Sequence, residues 1–165
     1  MSGDGVIPYS QSPMRIAAGF DHAGYPLKET IVAALEAAGH DVVDCGTDSA
    51  ESVDYPVFAE RAAAMVSEGD ADRAVLACGS GTGVSIVANK LQGVRAVNAR
   101  DPEDAEMARR HNDANVLALA GRKLGSGEAQ AIIDAFLLAE FEGGRHQRRV
   151  DQIAKIENGA LKEAT

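Results

Sequence analysis

The segment AVLACGSGTGV, residues 74–84, indicates the fold more directly than any other part of the sequence. Its first four residues form a short, wholly apolar run, which is typical of a strand buried on both faces of a parallel sheet. Glycines at positions 79, 81 and 83 follow, and a helix is predicted over Thr82–Lys90. A buried strand, a glycine-rich turn and a helix in succession are typical of a doubly wound α/β domain.

The same alternation of apolar runs and amphipathic stretches extends to both sides of this segment. The predicted strands are Arg15–Phe20, His40–Asp44, Ala74–Ala77, Val94–Val97 and Val116–Ala120. Helices are predicted over Pro26–Ala38, from Pro56 to just before Gly69, over Thr82–Lys90, from Asp101, around Gln130–Ala139 and, last, up to Asn158–Gly159. We therefore predict a single Rossmann-like domain over residues 14–158, with a five-stranded parallel sheet covered by helices on both faces. Residues 1–13 are predicted to be a flexible extension and residues 159–165 a tail.

Composition excludes several classes of protein. The chain has 165 residues, a net charge of −9 and a pI near 4.8, so it repels the phosphates of nucleic acids. No apolar run approaches the roughly 18 residues of a membrane span, and Met1–Pro13 lacks the pattern of a secretory signal. Two cysteines are too few for a disulfide scaffold. We therefore predict a cytoplasmic protein that binds neither nucleic acid nor membrane. Since the four histidines are scattered and show no zinc spacing, we also predict no metal.

Cys78 and the glycine loop that follows it are the strongest candidate for chemistry. A helix N-terminus favours the thiolate form of a nearby cysteine, and the backbone N–H groups of Gly79–Gly83 can stabilise an oxyanion. The spacing excludes a dinucleotide fingerprint, because Val84 and Ile86 stand where its last glycine is needed. A Walker loop is excluded because Gly-Lys-Ser/Thr is absent. The alternative is a glycine-rich turn with an inert, buried cysteine.

Three further groups of polar residues are candidates, each with a plainer alternative. Asp21 and His22 follow the first strand and suit substrate hydroxyls or phosphate, or else a helix cap and a surface histidine. His111 and Asn112 precede the fifth strand and can donate to a substrate oxygen. Arg145 and Arg149 are four residues apart, so on a helix they share a face and can bind phosphate. The alternative for this pair is a solvated basic face or a salt-bridge patch between subunits.

Several strings together resemble one family. They are Asp21-His22-Ala23-Gly24, Asp54-Tyr55-Pro56, Cys78-Gly79-Ser80-Gly81-Thr82-Gly83, Ala88-Asn89-Lys90, 110–116 (RHNDANV) and 142–146 (EGGRH). In this order they closely resemble the ribose-5-phosphate isomerase B family, from Met14 to about Ile156. Part of that family uses a glutamate base after the last loop glycine, but Val84 occupies that position here.

The resemblance implies an aldose–ketose isomerase that interconverts ribose 5-phosphate and ribulose 5-phosphate through a cis-enediolate. Cys78 would be the base, with Ser80 near the substrate and the backbone of Gly79, Gly81, Thr82 and Gly83 holding the oxyanion. His111 would assist opening of the furanose ring. Substrate and phosphate would be bound by Asp21, His22, Asn112, Arg122, Arg145 and Arg149.

The resemblance also implies an assembly and leaves alternatives open. It implies a homodimer with shared active sites and no metal or organic cofactor, so that His111 would serve the neighbouring subunit's Cys78. Whether such dimers pair into tetramers is left open. Two alternatives remain: an isomerase of galactose 6-phosphate or a tetrose phosphate, and a non-catalytic sugar-phosphate sensor.

Overall fold

The computed structural model of the chain describes residues 12–160, which form a parallel sheet of five strands between layers of helices. The strands are β1 (Arg15–Phe20), β2 (Asp41–Asp44), β3 (Arg73–Cys78), β4 (Ala96–Asn98) and β5 (Val116–Ala120). The helices are α1 (Lys28–Ala37), α2 (Tyr55–Glu68), α3 (Thr82–Ala88), α4 (Pro102–Asn112), α5 (Ser126–Leu138) and α6 (Arg145–Glu157). The strand order is β2-β1-β3-β5-β4, and every neighbouring pair is parallel. The predicted fold class is confirmed.

Two apolar clusters, one on each face, hold the sheet. The first contains Ile16, Phe20, Leu117 and Phe136 and lies under α1, α4 and α5. The second consists mainly of alanines from β1, β3 and α2 and lies under α2 and α3. Successive residues of a strand point to opposite faces, so a strand covered on both faces is apolar throughout. This accounts for the uninterrupted apolar run at the start of the 74–84 segment.

The boundaries of several elements differ from the prediction. Pro26 lies in a short 3₁₀ turn, Tyr25–Leu27, and the regular helix α1 begins only at Lys28. Strand β4 begins at Ala96 instead of Val94, because the Val94 N–H donates to the Leu91 carbonyl in a turn. Helix α5, Ser126–Leu138, contains the predicted helical segment Gln130–Ala139 except for its last residue, and Glu128 accepts from the Gly125 N–H at the start of the helix.

The predicted flanking segments fall largely outside the described part of the chain. Residues 1–11 and 161–165 are not described, so the extension at 1–13 and the tail at 159–165 stay predictions. Between residues 12 and 160, no helix is both long and apolar enough to cross a membrane.

Candidate active site

The ends of β1, β3 and β5 are hydrogen-bonded to one another, and Cys78 lies at their centre. The Gly121 N–H donates to the Cys78 carbonyl at 2.7 Å, and the Arg122 N–H donates to the Gly79 carbonyl at 3.1 Å. On the other side, the Asp21 N–H donates to the Ala77 carbonyl at 3.3 Å. Cys78 is the last residue of β3 and is 5% exposed. The thiol is therefore held at the carboxyl edge of the sheet, where doubly wound proteins bind ligands.

Glycines allow these loops to approach more closely than any side chain permits. A methyl group on Gly24 would overlap the Ala77 carbonyl, and one on Gly121 would overlap the Ala23 carbonyl oxygen. Gly81 caps α3 with a φ of 73°, a left-handed conformation that glycine adopts without strain. The sequence pattern of glycines after β1, β3 and β5 thus has a packing cause.

An open cavity of about 480 Å³ lies against these loops. Seven predicted site residues line it: Asp21, His22, Cys78, Gly79, Ser80, Gly83 and Arg122. Three residues that we did not predict as site residues line it as well: Ala23, Tyr55 and Lys123. The structure therefore brings together, in one place, the predicted thiol, part of the glycine loop and three of the predicted binding side chains.

Asp21 and His22 have defined hydrogen-bonding roles within the cavity wall. Asp21 is 5% exposed, and its Oδ1 accepts from the N–H groups of Ala23 and Gly24, both at 2.9 Å. One of its oxygens therefore stabilises the turn after β1, but Asp21 is not the N-cap residue of the helix that follows. The Nδ1 of His22 accepts from the Val53 N–H at 3.1 Å. In the neutral imidazole the proton then lies on Nε2, so His22 presents a donor through that atom.

The glycine loop is supported from below by Asn98 at the end of β4. Its Nδ2 donates to the Ser80 carbonyl at 3.1 Å, and the Thr82 N–H donates to the Ser80 hydroxyl at 3.3 Å. The Oδ1 of Asn98 is buried without a hydrogen-bond partner, directly beneath Gly81. Gly81 and Thr82 do not line the cavity. Of the predicted loop residues, these two contribute to the shape of the turn instead.

His111 and Asn112 lie away from Cys78. They end α4, an 11-residue helix that starts after the carboxyl end of β4 and runs back towards the amino edge of the sheet. A helix of this length spans about 16 Å. Both residues line a separate concavity of about 520 Å³. Within one chain, the direction of the helix thus separates His111 and Asn112 from Cys78, and a site shared between subunits stays a prediction.

His111 forms a cluster with two residues that the sequence does not place beside it. Its ring stacks on that of His146, with centroids 4.3 Å apart and planes inclined by 8°. The Oε2 of Glu142 lies 3.9 Å from the Nε2 of His111 and 3.5 Å from the Nε2 of His146. His111 and His146 are thus far apart in the sequence but adjacent in the structure. The premise of the no-metal prediction, that the histidines are scattered, is wrong for this pair.

The geometry of the cluster bears on whether it can hold a metal. One ligand atom from each of His111, Glu142 and His146 lies within 4.8 Å of the others. However, the nitrogen lone pairs of stacked imidazoles lie in two separate, nearly parallel planes, whereas zinc needs ligands that converge tetrahedrally on one point. The arrangement does not fit a metal without reorientation of a ring, and the absence of a metal stays a prediction.

Arg145 and Arg149 lie on the exposed first turns of α6, next to this cluster and not in the Cys78 cavity. The helix begins after Gly144, which has no side chain that could accept from its first N–H groups. A helix N-terminus carries partial positive charge and unpaired N–H groups, so basic side chains there gain nothing from the helix dipole. Together they form a strongly cationic surface in an acidic protein, which suits an anionic ligand.

The site residues that sequence reasoning missed share a reason. Tyr55 begins α2, and its ring fills the space above Gly83, where a Cβ would lie 2.7 Å from the Tyr55 Cε2. Lys123 follows the predicted Arg122, and Glu142 and His146 fall within the EGGRH string. Tyr55, Glu142 and His146 lie in the quoted motifs and Lys123 only beside a predicted residue, but the three-dimensional arrangement alone shows which neighbour each one meets.

The fold and the site together define a class: a doubly wound α/β enzyme with a buried thiol beside a glycine loop at the carboxyl edge of its sheet. Comparison with known proteins defines it further. The chain belongs to the ribose/galactose isomerase family, whose model matches residues 16–153. It is therefore an isomerase.

Relatives of the chain are similar over nearly its whole length. It is 49% identical to ribose-5-phosphate isomerase B of Escherichia coli (strain K12), over 87% of this chain and 96% of that protein. A structure of the Clostridium thermocellum ribose-5-phosphate isomerase B matches with a TM-score of 0.86 and 47% identity, covering 90% of this chain and 100% of the other. The Mycoplasma genitalium enzyme, solved with bound ribulose 5-phosphate, matches with a TM-score of 0.84 and 42% identity, covering 87% and 96%.

Proposed function

We propose that the chain interconverts ribose 5-phosphate and ribulose 5-phosphate in the cytoplasm, as a homodimer in which each active site uses residues of both subunits. The observation that carries the proposal is the division of the candidate residues into two groups at opposite edges of one sheet. Cys78 and its loop lie at the carboxyl edge, while His111, Asn112 and the α6 arginines lie towards the amino edge. The similarity to named ribose-5-phosphate isomerases supports the choice of a pentose.

The proposed chemistry is a proton transfer between neighbouring carbons. In the open-chain aldose, the Cys78 thiolate removes the proton on C2, and the electron pair forms a cis-enediolate with negative charge on oxygen. Backbone N–H groups of the Gly79–Gly83 loop stabilise that charge. Return of the proton to C1 and transfer of the hydroxyl proton from O2 to O1 give the ketose. The hydrogen stays within the substrate, so the reaction needs no redox cofactor.

We propose that arginines from both groups of candidate residues bind the phosphate. Arg122 lies over Gly79, with its Nη1 3.1 Å from the position of a Cβ there, and it lines the cavity with His22 and Lys123. Arg145 and Arg149 would approach from the partner. A guanidinium binds phosphate oxygens in a bidentate manner, and this concentration of cations overcomes the repulsion of a chain with net charge −9.

Exposed apolar side chains on α2 and α3 support the assembly. Tyr55 is 40% exposed, Val57 45% and Ile86 56%, and they belong to α2 and α3, the helices that flank the glycine loop. Large apolar side chains grouped on a surface are typical of an interface. A two-fold symmetric partner would use the same surface on both chains.

Mixing two inactive variants tests the proposal. Cys78→Ala and His111→Ala homodimers, unfolded together and refolded, would form mixed dimers in which one of the two sites has both residues intact. Recovery of about one quarter of the wild-type turnover of ribose 5-phosphate is then expected from random pairing in a two-fold dimer. No recovery, with mixed dimers demonstrated by mass spectrometry, would contradict the shared site. Turnover of a six-carbon or four-carbon sugar phosphate in place of ribose 5-phosphate would contradict the pentose assignment.

A further inference from the structure

The carboxylate of Glu142 has no role in the chemistry above, although it is fixed between two imidazoles and one guanidinium. Its backbone N–H donates to the Arg110 carbonyl at 3.0 Å, which holds the loop 139–144 against the end of α4. Its Oε1 accepts from the Arg110 Nε at 2.6 Å. One oxygen and the backbone are therefore engaged by Arg110, and Oε2 is left facing the rings.

Of the two imidazoles that Oε2 faces, His111 is the one left to pair with it, at an ion-pair distance of 3.9 Å between Nε2 and Oε2. The Nε2 of His146 accepts from the Arg145 Nε at 3.5 Å, so this nitrogen offers a lone pair and not a proton. His146 is 5% exposed, and burial together with the neighbouring His111 lowers its pKa, which disfavours its charged form. The hydrogen bond from Arg110 lowers the pKa of Glu142, so the carboxylate stays charged. His111, with its side chain 37% exposed, is the imidazole of the cluster that a substrate can reach.

The opening of a furanose ring needs a group that takes one proton and returns another. The anomeric hydroxyl on C1 loses its proton, the bond between C1 and the ring oxygen breaks, C1 becomes a carbonyl and the ring oxygen gains a proton. A single imidazole can accept the first proton and donate the second. Between the two transfers it is a cation, and a carboxylate opposite one nitrogen stabilises that cation and fixes which nitrogen keeps its proton.

We infer that Glu142 is a positioning residue for His111: through Oε2 it holds the ring, stacked on His146, with a proton on Nε2 and the other nitrogen free for ring opening. This inference rests on the proposed function, since it assigns to His111 the opening of the furanose form of ribose 5-phosphate. It assigns to Glu142 no contact with the substrate.

The two directions of the reaction separate ring opening from isomerisation. Ribulose 5-phosphate has no furanose form because its C5 oxygen carries the phosphate, so its turnover starts from the open chain. In Glu142→Gln, we expect the kcat for ribose 5-phosphate to fall about tenfold, the lower range for loss of an oriented acid–base group or its support. KM should fall with it, because unopened substrate stays bound unproductively. The kcat for ribulose 5-phosphate should stay within about twofold.

Glu106→Gln is the matched control. Glu106 also pairs with Arg110, at 3.0 Å through Nη1, but it makes no ion pair with either histidine. The control should keep both kcat values. A Glu142→Gln variant that loses both directions equally, or neither, overturns the inference.

His111→Ala distinguishes failure of the inference from failure of the proposed function. If His111→Ala shows the loss confined to ribose 5-phosphate and Glu142→Gln does not, the inference alone is wrong. If His111→Ala shows no such direction dependence, the proposed role of His111 is wrong, and the inference is overturned with it. Adding Glu142→Gln to His111→Ala should cause no further loss. Imidazole ¹⁵N spectra give a readout without activity: the His111 Nε2–H form should lose population in Glu142→Gln and keep it in Glu106→Gln.

Discussion

The two cysteines of the chain have different surroundings, and this difference gives a direct test at the scale of the residue. Cys78 faces the cavity beside the glycine loop, whereas Cys45 is half-buried against Met65, and its burial raises the pKa of its thiol. Cys78→Ala should lower kcat for ribose 5-phosphate by at least about a thousandfold, within the range for loss of a catalytic base, and leave binding nearly intact. Steady-state kinetics and calorimetric titration measure the two effects.

Cys45→Ala is the control for that experiment and should retain wild-type kcat. The wild-type chain treated with iodoacetamide should lose activity as Cys78 is alkylated, as followed by peptide mass spectrometry. A Cys78→Ala variant with near-native kcat would show that another group is the base.

Site residues next to the glycine-rich turn after a buried strand were predictable from the sequence. Contacts between site residues that are distant in the sequence were not. Cys78 ends a buried strand, Ser80 and Gly83 come just after it, and their place at a sheet edge follows from the topology alone. The stacking of His111 on His146 joins the ends of two helices separated by more than thirty residues. No local pattern encodes such a contact, because it depends on how α6 packs on α4.

At the scale of the element, the apolar pattern of the sequence predicts which segments are strands and which are helices. Where each element begins and ends depends on particular hydrogen bonds. The central strands β1, β3 and β5 were predicted because a strand buried on both faces is almost wholly apolar, and the outer strands β2 and β4 from shorter apolar runs. Strand β4 was placed two residues early because Val94 and Arg95 look like strand, while their N–H groups bind Leu91 and the Asn115 side chain. Side chains that bind backbone groups compete with regular structure in a way that periodicity does not show.

The start of α4 was predictable because its signal is local. The Asp101 side chain accepts from the Asp104 N–H at 2.8 Å, and Pro102 follows it. Asp101→Ala should lower the free energy of unfolding by about 1 kcal/mol, since an unsatisfied helix N-terminus has that cost. Urea denaturation measures it. Asp101→Asn, which keeps the acceptor, should lie within a few tenths of a kcal/mol of wild type; an equal loss in both variants would argue against the cap.

His40 joins the starts of β1 and β2 and should make stability depend on pH. Its Nδ1 accepts from the Met14 N–H at 3.2 Å, and its Nε2 is buried without a partner. Burial, and then the charge of Arg73, lowers the pKa of His40 in the folded chain below its usual value of 6.5. The unfolded chain therefore binds the proton more readily. The contribution of the neutral imidazole is complete above about pH 6.5 and is lost as the pH falls from there towards the folded pKa.

The comparison of wild type with His40→Gln isolates this effect. Midpoints of urea denaturation at pH 7.5, 6.5 and 5.5 should fall more steeply for wild type than for the variant. His146, whose pKa is also lowered, contributes equally to both chains and cancels. Parallel curves for the two proteins would contradict the assignment to His40.

At the scale of the whole molecule, a site shared between subunits makes activity depend on the dimer interface, including residues that do not contact the substrate. Ile86 on α3 is 56% exposed. Ile86→Glu places a charge in the proposed interface, and we expect a folded monomer by light scattering and circular dichroism, with turnover of ribose 5-phosphate lost. Ile86→Leu keeps the apolar surface and should remain an active dimer. A dimeric, fully active Ile86→Glu variant would place the interface elsewhere.

The contacts of Gly24 and Gly121 with the carbonyls of neighbouring loops have a consequence for how the family can change. Three loops that touch backbone to backbone cannot be lengthened or given new side chains one at a time, because each change displaces the other two. Adaptation to a longer or shorter sugar therefore has to come from residues that line the cavity but take no part in these backbone contacts. Tyr55 and Lys123, which line the cavity from outside these contacts, are the positions at which selection for a new substrate should find its first substitutions.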